Sequence, residues 1–185
     1  VTIPSLGDIR IDQGTSGTGI DRIDDVTPNV WEEAYGTGLS TGIDTVTGTS
    51  AGSTIEYTAA SDLFGDGVTF RAAYSPKVGG SNAGDKAGSG VSTSVAESGF
   101  DLTLQLSEAV TGVEGLTIYT GYSEVTQDTT NSSTDGDKEE KTIAATYSVG
   151  SVTLGYQWSK EELGRSAGVD YYENDGYGIT YLIND

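Results

Sequence analysis

The side chains of this sequence that could do chemistry are mostly carboxylates. Glu161 and Glu162 are adjacent acids of the kind that serve in acid–base catalysis. Neighbours on a strand point to opposite faces, so they make a poor catalytic pair. Asp135-Gly136-Asp137 with Glu139 and Glu140, and Glu173-Asn174-Asp175, offer the oxygen ligands that suit Ca²⁺ or Mg²⁺. Their spacing does not match the twelve-residue EF-hand loop. They read as solvated loop tips that could bridge anionic lipid headgroups through metal ions, and no metal site is assigned. Gly14-Thr15-Ser16-Gly17-Thr18-Gly19 and Gly36-Thr37-Gly38 lack the Gly-Lys-Ser/Thr ending and the following helix of a phosphate loop. They read as flexible loop. His and Cys are absent, which excludes an ordinary zinc site, a Ser-His-Asp triad, a Cys nucleophile and a haem held by His or Cys. The reading assigns no catalytic residue and no cofactor, and the chain is expected not to be an enzyme.

The elements that position these groups are strands. Gly accounts for 27 of 185 residues, Tyr for 11 and Pro for only 3. Thr and Tyr favour pleated strands, and scarce Pro leaves ladders uninterrupted. Apolar residues are 35% of the chain, and 28 acidic against 9 basic residues give a net charge of −19. That charge argues against a nucleic-acid partner, which is bound through Lys and Arg. No stretch approaches the roughly 20 apolar residues of a transmembrane helix. Period-two alternation is strong. Val152, Leu154, Tyr156 and Trp158 share one face of 151–159; Phe100, Leu102, Leu104 and Leu106 share one face of 100–106; Val68, Phe70, Ala72 and Tyr74 share one face of 68–74. The pattern predicts eight strands, near 6–13, 53–61, 67–76, 99–110, 115–126, 139–149, 151–160 and 176–183.

The connections between these strands alternate in length. Those at 14–52, 77–98, 127–138 and 161–175 are long; those at 62–66, 111–114 and around Gly150 are short. In an antiparallel meander this puts every long loop at one end of the sheet. Outer-membrane barrels have short periplasmic turns and long external loops, whereas a soluble sandwich has no reason to sort them. The expected fold is therefore all-β: an antiparallel up-and-down transmembrane β-barrel. Leu102, Leu104, Val152 and Leu154 would face acyl chains. Arg71, Asp101, Gln105, Thr153 and Gln157 would face water inside. Trp158, Tyr156 and Tyr74 sit near strand ends, where aromatic girdles belong.

Gly115-Leu116-Thr117-Ile118-Tyr119-Thr120-Gly121-Tyr122-Ser123 and Ser148-Val149-Gly150-Ser151-Val152-Thr153-Leu154-Gly155-Tyr156 resemble hairpins of the bacterial outer-membrane general porins. Leu6-Gly7-Asp8-Ile9-Arg10-Ile11-Asp12-Gln13-Gly14 is similar to the porin strand that leads into the long loop folded into the pore. The resemblance covers most of the chain as a style of short hairpins. It implies a barrel of about 16 strands, a homotrimer, and passive diffusion of ions and small hydrophilic solutes across the outer membrane of a Gram-negative bacterium. Outer-membrane lipids would be the other partner. This sequence supplies about eight strands and ends Leu182-Ile183-Asn184-Asp185 without a terminal aromatic residue. Residues 1–185 are thus expected to be one partial porin domain, with 14–52 the loop folded into the pore. An eight-stranded barrel is already filled by its own side chains and would not hold so long a loop.

In such a protein, function lies in the width and charge of the narrowest point. The resemblance implies acidic groups on the inward loop opposed to basic groups on the wall. The loop candidates are Asp24, Asp25, Glu32 and Glu33; the wall candidates are Arg10 and Arg71, which lie on the polar faces of their strands. Local pairing of Arg10 with Asp8 or Asp12 is the alternative. Asp101, Gln105 and Gln157 are expected to face the lumen. Two rival readings remain: a secreted or surface-anchored acidic β-protein (an adhesin or surface-layer module), and an outer-membrane enzyme or small non-channel barrel. The first of these requires Phe70, Leu102, Leu104, Leu154 and Trp158 to be sealed in a core.

Overall fold

A computed structural model of the chain describes residues 1–13, 17–28, 46–50, 52–78 and 95–183. Those residues form one antiparallel sheet of nine strands: β1 (Thr2–Ile3), β2 (Gly7–Gln13), β3 (Ser53–Ala59), β4 (Val68–Ser75), β5 (Ala96–Leu106), β6 (Leu116–Gln127), β7 (Lys138–Val149), β8 (Val152–Glu162) and β9 (Tyr171–Tyr181). Each strand pairs with the next in sequence, so the sheet is an up-and-down meander. The three prolines, Pro4, Pro28 and Pro76, all lie outside the strands, where a missing N–H breaks no ladder. The sheet is not closed; β1 and β9 are its edges.

All eight expected strands are present, with shifts that have local causes. The strand expected over 99–110 ends at Leu106, because Ser107 opens a single helical turn, α1 (Glu108–Thr111), closed by Gly112 in the left-handed region. The last strand begins at Tyr171 rather than 176. The polar run Glu173-Asn174-Asp175 suggested a loop, yet it is paired along its whole length with β8. β1 was not anticipated; it folds back on β2 through a turn at Pro4-Ser5-Leu6. Loop lengths are also less sorted than the sequence suggested. Connections 14–52, 76–95 and 128–137 are long and 150–151 is short, but 163–170 is no longer than 60–67.

The two faces differ in kind. One carries Ile9, Ile11, Ile55, Tyr57, Phe70, Ala72, Tyr74, the even-numbered residues from Phe100 to Leu106, Ile118, Ile143, Tyr147, Leu154, Tyr156, Tyr177, Ile179 and Tyr181. It is the apolar face, and it is open: Leu102 is 40% exposed, Leu154 44% and Ile179 67%. The other face is polar, and it is buried. Its Thr54, Glu56, Asp101, Ser123, Glu140, Thr142, Gln157, Ser159 and Glu161 are all shielded from solvent. This reverses the usual arrangement, in which a sheet buries its apolar side and wets its polar one.

The apolar surface is a diagonal band. On β5 it reaches Phe100, while the cross-strand neighbours of Phe100 toward the far edge are Glu124, Glu139 and Glu162. On β8 the band runs from Val152 to Trp158, and the next outward residues are Lys160 and Glu162. Trp158 Nε1 donates to Glu173 (2.8 Å) and Tyr156 OH to Asp175 (2.7 Å), which stitches the border of the band. Lys141 and Lys160 lie beyond it, near the Tyr122 and Tyr171 rings.

Candidate functional site

What buries the polar face is the chain's own β2–β3 connection. Its described parts, 17–28 and 46–50, lie flat on the sheet as two arms of one strap. The outgoing arm crosses the strands nearly from edge to edge. Arg10 on β2 donates to the Gly17 carbonyl (3.1 Å). Gly19 N donates to Glu56 on β3 (2.7 Å). The short 3-10 turn Gly19–Ile23 then brings Ile20 N to Asp101 on β5 (3.1 Å) and packs Ile20 and Ile23 over Gly121 on β6. Gln157 on β8 donates to the carbonyls of Ile23 (2.9 Å) and Asp24 (2.7 Å) and accepts from Val26 N (3.1 Å). Pro28 ends the described arm above Gly155 and Gly178. The returning arm gives Thr47 N and Gly48 N to Glu140 on β7 (2.9 and 2.5 Å), then Thr49 N and Oγ1 to Asp101.

A single register row supplies most of these wall partners. Across the sheet it reads Arg10, Glu56, Ala73, Asp101, Ser123, Glu140, Glu161, Tyr172. Four of the eight positions are carboxylates. Each is compensated, as buried carboxylates must be. Glu56 takes a forked pair from Arg22 (2.6–3.2 Å). Lys138 bridges Glu140 (2.6 Å) and Glu161. Asp101 takes its donors from the strap. The hydrogen bond to Glu56 raises the pKa of Arg22 above its ordinary value, against the opposing effect of burial. Between strap and wall lies a small apolar core of Ile20, Ile23 and Val46, flanked by Val26 and Tyr119.

Strand glycines on the polar face give the strap its room. A Cβ on Gly155 would stand 2.3 Å from Pro28 Cδ, and one on Gly178 would stand 2.2 Å from the Pro28 carbonyl oxygen. At Gly176, on the same face of β9, the nearest strap atom would be Thr27 Cγ2 at 3.6 Å, an ordinary contact. Gly178→Ala is therefore expected to cost about 1–3 kcal/mol by overpacking, whereas Gly176→Ala is expected to be near neutral. Urea midpoints of the two variants test this, and equal midpoints would count against a strap seated on Gly178.

The predicted site residues divide as follows. Arg10 and Arg71 are on the polar face of β2 and β4, as their alternation implied. Arg10 pairs with Asp12 (3.1 Å), the local alternative, while also holding Gly17. Arg71 is half-buried, with Arg22 and Glu56 as its charged neighbours. Asp24 and Asp25 lie far along the outgoing arm, beside β8 rather than opposite the arginines; Asp25 is exposed. Glu32 and Glu33 fall outside the described residues. Asp101 and Gln157 are on the polar face but sealed under the strap, not wetted; Gln105 is half-buried on that face, paired with Tyr119. Where strap and wall meet, Glu56, Asp101 and Glu140 of the wall take N–H groups and Arg22 of the strap, while Arg10 and Gln157 of the wall donate to strap carbonyls.

No protein-family model matches the chain, and no curated protein matches it. The site stands on its geometry. Among the described residues no three acidic side chains converge as a cation site. The run from Asp135 to Glu140 is split by the pleat: Glu139 pairs with Lys141 on one face, while Glu140 is buried with Lys138 on the other. Glu161 and Glu162 separate the same way, toward Lys138 and Lys160. Glu56, Glu140, Lys138 and Arg22 were missed by sequence reasoning. The signal that could have found part of the site is that Gly121, Gly155 and Gly178 all fall on the polar face of their strands.

Proposed function

We propose that the chain is part of an outer-membrane porin: barrel wall plus an inward strap that narrows a water-filled passage for ions and small hydrophilic solutes. The observation that carries this reading is the reversed polarity of the sheet. An open apolar face and a polar face covered from within suit a wall with lipid on one side and a lumen on the other. The apolar run from Phe100 to Leu106 is about 20 Å long at roughly 3.3 Å per residue, close to the roughly 25 Å apolar band of such barrels. The bordering aromatics, and the charged row beyond them, match the chemistry of a membrane interface. In lipid, the unpaired backbone of β1 and β9 requires further strands to close the barrel. The partners of this reading are outer-membrane lipid and two further copies in a homotrimer. A secreted acidic β-module would instead need the apolar face sealed, and Leu102 and Leu154 are open.

The test is single-channel recording of the native assembly in a planar bilayer under a salt gradient. Discrete steps of constant size are expected. Silence from protein shown to be folded and inserted would overturn the porin reading.

A further inference from the structure

We propose that Asp101 is a clasp: one carboxylate ties both arms of the strap to the wall and so sets the width of the passage beside it. Its effect on width rests on the porin reading; the clasp itself does not. Within the carboxylate row, Glu56 binds the outgoing arm and Glu140 the returning arm. Asp101 lies between them and binds both: Ile20 N at 3.1 Å from one, Thr49 N at 3.1–3.2 Å and Thr49 Oγ1 at 2.8 Å from the other.

The backbone of each arm is shaped for this contact. Gly19 and Gly48 both adopt the left-handed conformation, with φ of 58° and 56°. Each directly precedes the residue whose N–H reaches Asp101, while its own N–H goes to a flanking carboxylate of the row: Gly19 to Glu56 and Ile20 to Asp101, Gly48 to Glu140 and Thr49 to Asp101. A Cβ at Gly19 would fall 1.8 Å from the Asp101 carboxylate, and one at Gly48 2.5 Å from it. Two loop segments far apart in sequence thus place a left-handed glycine against the same side chain. Asp101 is fully buried, so water is not at hand to replace its partners, and buried donors left without an acceptor are costly. Releasing Asp101 removes one tie from both arms at once, leaving the outgoing arm to Glu56 and Gln157 and the returning arm to Glu140.

The experiment uses the absence of cysteine from the chain. Val46→Cys places one thiol in the buried core between strap and wall. Its reaction with a water-soluble maleimide is expected to be slow in the folded protein. Adding Asp101→Ala is expected to raise the rate about tenfold or more, the opening expected on losing buried hydrogen bonds to both arms. An unchanged rate would overturn the clasp. In bilayers, Asp101→Ala is expected to raise the mean conductance. Thr49→Cys with Asp101→Cys, whose side chains touch in the parent, re-ties the returning arm alone and is expected to bring the conductance back toward the parent value when oxidised and to raise it again on reduction. Equal conductance in both states would remove Asp101 from control of the width, even should Asp101→Ala fail to fold. Raised labelling with no channel activity in the parent would overturn the porin reading and leave the clasp standing.

Discussion

Replacing Lys138 with Met is expected to destabilise the protein by about 3–5 kcal/mol, the usual cost of removing one partner of a buried ion pair. Lys138 is 2% exposed and stands between Glu140 and Glu161, each 1% exposed. Without it, two carboxylates face each other beneath the returning arm with no cation between them. Glu140 would retain the N–H groups of Thr47 and Gly48. These cannot offset the repulsion from a neighbour in the next strand. Lys138→Met is thus expected to loosen the returning arm as well as the β7–β8 pairing. Denaturant unfolding checks the magnitude, and adding Glu161→Gln is expected to recover a large part of the loss. A loss below about 1 kcal/mol, the scale of an exposed pair, would mean that water reaches this cluster.

The second large effect separates lipid from water as the solvent of the apolar face. Leu102→Arg is expected to cost about 2–4 kcal/mol for folding into lipid vesicles, the depth-dependent penalty for Arg on the lipid side of a barrel. Leu102 is near the middle of the apolar run of β5 and 40% exposed. Gln105→Arg, three residues on and on the opposite face, is expected to fold into vesicles nearly as well as the parent. The folded fraction in vesicles, read as a gel-mobility shift before heating, measures both. If Leu102 faced water, Leu102→Arg would fall within about 0.5 kcal/mol of the parent, as exposed substitutions do.

Strands and faces were legible in the sequence because alternation is a local property. Phe100, Leu102, Leu104 and Leu106 announce β5 without reference to any other strand, and Arg71 and Asp101 fall on the polar face by parity alone. What sits beside what was not legible. Glu56, Asp101, Glu140 and Glu161 are scattered along the chain, and only strand register brings them into one row. That register depends on loop lengths and on an irregularity between Ala96 and Gly99 where β5 meets β6. Glu140 illustrates the loss. In sequence it closes an acidic run that reads as a solvated loop tip; in the fold it is the returning arm's anchor. Gly121 and Gly155 were noticed for the style of their hairpins, not for the space they leave above them. Tyr171 and Tyr172 carried strand propensity that the neighbouring Glu173-Asn174-Asp175 concealed.

The strap also has a place in time. Sheet contacts join each strand to its neighbour in sequence, but the strap's bonds span long stretches of chain: Ile20 to Asp101, Gly48 to Glu140, Val26 to Gln157. Val26 has no partner until β8 exists, and Asp101 offers no complete site until β5 is flanked by its neighbours. Contacts of such separation are slow to form, because chain closure must precede them. Strap seating is therefore expected late in folding, after β8 has joined the wall, with the row of acids hydrated until then. A chain made from its N-terminal end must hold residues 17–28 and 46–50 unplaced while the wall that receives them is still being built.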